Sequence, residues 1–214
     1  MRPVSQSVTQ SDTTQRLLSI CGIVGPISYT VVVMILAFLR PEYSHITHNL
    51  SELGEAGGQN AIVMNTTGIA LPGILMIAFA LGFHRGIAGG EGSKIGPALL
   101  ALSGAAWVMT AVFPRDDPAC TGVSMVGIMH SVFTIVSALA MILAPLTLSP
   151  RLKSDNLWQD CQYYSLVSVI VAGVISAVYG LRILDQWEGA LQRILMGVLL
   201  LWVEVMAIRL LRLS

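Results

Sequence analysis

The sequence predicts an all-α, polytopic membrane protein, a bundle of six transmembrane helices, and three observations predict it. Six apolar runs fall at roughly Leu17–Leu39, Ala61–Phe83, Ile95–Phe113, Val123–Leu148, Tyr163–Leu184 and Ala190–Leu213. Each is about 20 residues or a little more, the length a helix needs to cross hydrocarbon ~30 Å thick at ~1.5 Å per residue. Charged residues make up 11% of the chain and hydrophobic ones 54%, whereas a soluble domain carries about 25% charged residues. The strongly polar residues collect in short connections between the runs, which leaves no room for a second unit. One domain is therefore expected over residues 16–214, after a disordered Ser/Thr/Gln-rich tail at residues 1–15. The first run is too long for a signal-peptide core and is expected to stay as span one.

Charge sets the expected orientation. With a cytoplasmic amino terminus, the inner segments carry eight basic residues: Arg2, Arg16, Arg85, Lys94, Arg151, Lys153, Arg209 and Arg212. The outer side carries four: Arg40, Arg115, Arg182 and Arg193. The positive-inside bias thus places both termini of this integral membrane chain in the cytoplasm. Glu42, Glu52, Glu55, Asp116, Asp117, Asp185 and Glu188 all fall outside. A basic patch with interleaved aromatics is missing, so nucleic acid is not an expected partner; the bilayer is. Cys21, Cys120 and Cys161 fall at separate places in this topology and predict no disulfide.

Span by span, Gly22, Gly25 and Pro26 predict a bend near the inner end of span one. The first outer connection, Arg40–Asn60, is the longest. Within it Asn49-Leu50-Ser51-Glu52 reads as a capping box, with Gly54 ending a short turn. If helix extended back to His45, then His45, His48 and Glu52 would share one face and could ligate zinc. Span two carries Asn65, Thr66, Thr67 and Gly68 near its outer end, then Pro72 and Gly73. The second outer connection, Phe113-Pro114-Arg115-Asp116-Asp117-Pro118, leads within a dozen residues to His130.

Span four differs from the others. Gly127, His130, Ser131, Thr134 and Ser137 make a polar, small stripe that must face protein or water. An ionisable residue inside a span is a site by default, and Asp116 or Asp117 is the carboxylate best placed to orient His130 or share a cation with it. The alternative is that the aspartates cap the start of span four. Span five carries Ala172, Ser176 and Gly180 at the spacing that lets helices approach closely. Trp158 and Trp187 lie near span ends, where indoles favour the interface. Gln192 and Arg193 open span six, where Arg193 could neutralise the outer acids or clamp a phosphate. Glu204 lies deep in the same span with no evident partner.

Tyr43, the Asn49-Leu50-Ser51-Glu52-Leu53-Gly54 segment, Phe113-Pro114 with Asp116/Asp117, His130 and the Gly189-x-x-Gln192-Arg193 start of the last span together resemble a prokaryotic six-span membrane family known as domain of unknown function 998. The resemblance covers nearly the whole chain after the tail. It implies a six-helix membrane protein, and that Ser51, Glu52, a loop-two aspartate and His130 belong together; it implies no activity.

Three functions stay open on the sequence. The first is a polar pocket on the outer face that binds a lipid headgroup, an ion or a partner, with Tyr43, His48, Asn49, Ser51, Glu52, Asp116, His130 and Arg193 as its binding residues. The second is a membrane-embedded hydrolase or transferase acting on an outer-leaflet lipid, with His130, Asp116, Asp117 and Glu52 as catalytic candidates. A divalent metal held by His130, Asp116 and Glu52 belongs to these expectations. The third is a small transporter, which requires a polar path from His130 towards Glu204.

Overall fold

The computed structural model describes residues 4–87, 89, 90, 92–117 and 122–214, with side chains from Thr13 onward. Six long helices form the bundle. They are α1 (Val4–Phe38), α2 (Ala61–Gly86), α3 (Ile95–Val112), α4 (Met125–Lys153), α5 (Asp160–Gly180) and α6 (Glu188–Leu213). All six are long and apolar enough to cross a membrane, so the protein is an integral membrane protein set in a lipid bilayer. The backbone of α1 is already helical at Val4, within the stretch read as a tail, and it runs unbroken through Pro26.

Each helix packs on its neighbour in sequence, and α1 packs on α6, so the six close into a ring. Short connections force consecutive helices to be antiparallel. One end of the ring, here the crown, carries residues 40–60, 113–117 and 181–188; the other, the base, carries the connection between α4 and α5 and the carboxyl end of α6. Ile20, Val24, Ile27, Val31 and Met34 recur at helical spacing on α1 and are all exposed. A continuous apolar stripe on the outside of a bundle is what hydrocarbon stabilises and water does not.

The base half is filled. Phe83 stacks on Phe79 at 5.4 Å and meets Trp158 edge-on at 5.3 Å. Trp202 closes the group and donates its indole N–H to Ser165 Oγ at 2.9 Å. Trp158, read as an interfacial residue, is only 1% exposed and belongs to this core. Spans α2 and α3 touch backbone to backbone: a Cβ on Gly73 would lie 2.7 Å from the Gly104 carbonyl oxygen.

Two local features aim side chains at the crown. Residues Met64–Ala70 form a π-helical turn inside α2, closed by the Leu71 N–H on Thr66 O. Pro72 follows and has no N–H to continue the α pattern, which favours the wide turn at this place. Asn65, at its start, donates to Gly54 O at 2.9 Å and ties α2 to the first crown connection. That connection holds a short 3-10 helix, Leu50–Gly54, with Glu52 Oε1 accepting the Asn49 N–H at 3.1 Å, as the capping reading expects.

Candidate functional site

The crown connections converge. Asn49, 6% exposed, donates to Glu188 Oε2 at 3.0 Å and accepts the Tyr179 hydroxyl at 3.0 Å, joining the first connection to α5 and α6. The Leu50 N–H donates to Gln192 Oε1 at 2.6 Å. Arg115 brings in the second connection, donating to Glu52 Oε1 at 3.1 Å and Ser51 Oγ at 3.3 Å, while its carbonyl accepts the Ala56 N–H at 2.8 Å.

Arg193 is a cross-link. It donates to Tyr43 Oη (2.6 Å), His45 Nδ1 (3.1 Å), His48 O (2.9 Å) and Gly189 O (2.7 Å), and its guanidinium carbon lies 5.3 Å from the Tyr43 ring centre. Burial pushes the Tyr43 phenol up against the pull of Arg193, so it stays protonated and donates to Asn49 O at 2.9 Å. The outer acids are met instead by Arg182, 3.1 Å from Asp185 and 2.9 Å from Glu188. Residues 44–48 form turns, not helix. His48 Nδ1 there accepts the Ser44 N–H at 2.8 Å, and His45 is held by Arg193, so the His45/His48/Glu52 face does not form.

Asp116 lies at the start of α4. Its carboxylate accepts the Ser124 N–H at 2.9 Å and the Ser124 hydroxyl, and it occupies the space a Cβ on Gly127 would need. The cap itself is Ser124, whose Oγ accepts the Gly127 N–H at 3.1 Å, and Asp116 braces that cap. These hydrogen bonds hold its carboxyl below the ordinary carboxylate range. Asp117 sits beside it, partly buried. Glu52 and Asp116 are thus each bonded to other groups, and among the described residues no three His, Cys, Asp or Glu side chains gather as a metal would require. Cys120 lies outside the described residues; Cys21 and Cys161 are free thiols.

His130 is 6% exposed, and its Nδ1 lies 2.9 Å from Phe113 O. It opens on a cavity of about 70 Å³, the throat, walled also by Ser51, Trp107, Thr110, Thr134 and Gln192. Below lies a larger chamber of about 370 Å³ between α3, α4, α5 and α6. Trp107, Thr134, Gln192 and Met196 wall both, so the two adjoin. Ser176, Tyr179 and Gly180 face the chamber, and a Cβ on Gly180 would meet nothing within 4 Å. The small residues of α5 that read as a packing face therefore leave a void at this end. Ile135, Leu139 and Gly180 are exposed as well as chamber-lining, so the chamber opens sideways between α4 and α5.

A third cavity, about 260 Å³, lies in the groove between α1 and α6, with Arg193 and Glu204 among its walls. Glu204 is on that groove, away from the bundle axis. Tyr29, Leu50 and Met196 wall this cavity and the throat alike, so these two adjoin as well.

A family described as "Protein of unknown function (DUF998)" matches residues 23–209. The chain belongs to that family. No curated protein and no solved structure matches it. In this DUF998 protein the segments that carried the resemblance, around Asn49–Gly54, Asp116, His130 and Gln192-Arg193, are the ones that build the crown and throat. Sequence reasoning missed Tyr179, Trp107 and Ser176 as site residues. Ser176 was read as part of a packing face, and Trp107 and Tyr179 carry no local pattern that marks them in the sequence.

Proposed function

We propose that this protein binds an amphipathic lipid, with the tail in the apolar chamber and the polar end in the throat beside His130, Ser51 and Gln192. The observation that carries this reading is the chamber itself, about 370 Å³ lined mainly by apolar side chains and adjoining a polar throat. An apolar cavity of ~150 Å³ already accommodates benzene, and small-molecule sites run to about 300–1,000 Å³. With both termini cytoplasmic, as the basic residues favour, the ligand comes from the outer leaflet of a prokaryotic plasma membrane.

A direct test is native mass spectrometry of the protein released from its membrane. The wild type is expected to retain a lipid that Ser176→Phe, which fills the chamber, does not. Equal retention by both would count against the reading. Hydrolase or transferase action on the same lipid is the second reading. It is supported by an imidazole whose Nδ1 is fixed by a carbonyl, which leaves Nε2 to act as a base. Turnover of a bound ester that disappears in His130→Ala would favour it.

A further inference from the structure

The throat and chamber differ from the crown above them in charge. Among the described residues that wall them there is no Lys, Arg, Asp or Glu. The crown cations are engaged elsewhere: Arg115 with Glu52, Arg182 with Asp185 and Glu188, Arg40 with Glu55, and Arg193 with Tyr43, His45 and two carbonyls. A phosphate drawn into the throat would lose its water against Tyr29, Leu50, Ile69 and Met196, and Arg115, which donates to Ser51 of the throat wall, is already paired with Glu52.

What the walls do offer is a sequence of neutral groups with a fixed sense. A carbonyl only accepts, so His130 Nδ1 carries the hydrogen shared with Phe113 O. The ring has a backbone contact with Thr110 as well, and with Nδ1 protonated Nε2 is the acceptor of the pair. One turn deeper on α4, about 6 Å along the helix, the Thr134 hydroxyl is buried with no hydrogen-bond partner. Across the chamber on α5, the Ser176 hydroxyl is in the same state. Buried hydroxyls left without partners are destabilising, and both residues line the chamber. The walls thus supply one acceptor, two hydroxyl donors and hydrocarbon.

We infer that the ligand is an uncharged acyl ester of a polyol, of the mono- or diacylglycerol class. A glycerol hydroxyl donates to His130 Nε2, the ester carbonyl accepts from Thr134 or Ser176, and the acyl chain lies in the chamber. This inference rests on the lipid-tail reading above and adds the headgroup to it.

Trp107 walls both cavities, so a brominated chain in the chamber quenches its fluorescence. The full chain in phosphatidylcholine vesicles is titrated with a dibrominated monoacylglycerol, with its alkyl-ether analogue, and with lysophosphatidate bearing the same chain. The Trp107 signal is the part that Trp107→Phe removes. Half-quenching is expected at about tenfold lower mole fraction of the monoacylglycerol than of lysophosphatidate, the scale of one buried hydrogen bond. Thr134→Val combined with Ser176→Ala is expected to weaken the ester severalfold and leave the ether unchanged. Lysophosphatidate quenching at equal or lower mole fraction would overturn the headgroup assignment while leaving tail binding in place. An equal shift of ester and ether in the double variant would overturn the carbonyl contact. Quenching by none of the three above a brominated phosphatidylcholine background would remove the lipid reading along with the inference.

Discussion

Asp116 holds the start of α4 from outside the helix, and three short bonds decide its behaviour. It takes the Ser124 N–H and O–H, while Ser124 Oγ accepts the Gly127 N–H at 3.1 Å. Because its folded pKa is depressed from 3.8, its contribution is present above that value and is lost as pH falls through the lowered one. Thermal melts across the acid range should therefore show a shallower acid limb in Asp116→Asn than in the wild type. Gly127→Ala should expel the carboxylate from its place and lower stability by about 1–3 kcal/mol, the usual cost of overpacking. A melt unchanged from wild type would show that Asp116 relocates freely. Arg193→Lys keeps the charge but loses the planar fork that reaches Tyr43, His45 and two carbonyls. It should loosen the crown by about 1–3 kcal/mol, seen as faster backbone hydrogen exchange over residues 44–50. The sequence exposed Asn49 and Glu52 through their capping-box spacing, and His130 because it is ionisable inside an apolar span. It hid Tyr179, whose bond to Asn49 spans 130 positions and leaves no local pattern.

Among elements, the small-residue spacing of α5 and the glycines of α2 and α3 looked alike in one dimension and behave differently in three. Gly73 and Gly104 bring two backbones together, whereas Gly180 fronts empty space. Gly104→Leu should therefore prevent α2 and α3 from closing, seen as loss of folded, monodisperse protein after extraction. Gly180→Leu should leave folding intact and fill the chamber. The difference lies in what stands opposite each residue, and spacing along one helix carries no information on that. The spans themselves were legible to within a few residues, because length and hydropathy are properties of one helix. The π-turn was not legible: its cue, Pro72 one turn below a polar Asn-Thr-Thr cluster, is compatible with a plain helix as well.

At the scale of the whole molecule, a ring of six antiparallel helices places all crown connections on one surface. Orientation is then a single choice for the entire protein. Thr47 and Asn156 are exposed at opposite ends. In a background stripped of native thiols, a membrane-impermeant maleimide added to intact cells should label Thr47→Cys and spare Asn156→Cys. The reverse pattern would invert the protein and move the proposed ligand to the inner leaflet. The filled base has a further consequence. Towards the base the chamber is floored by Met141 and Leu199, each 2% exposed. The side opening between α4 and α5 lies on the lipid-facing surface of the bundle, so a guest there would trade places with neighbouring acyl chains rather than with water.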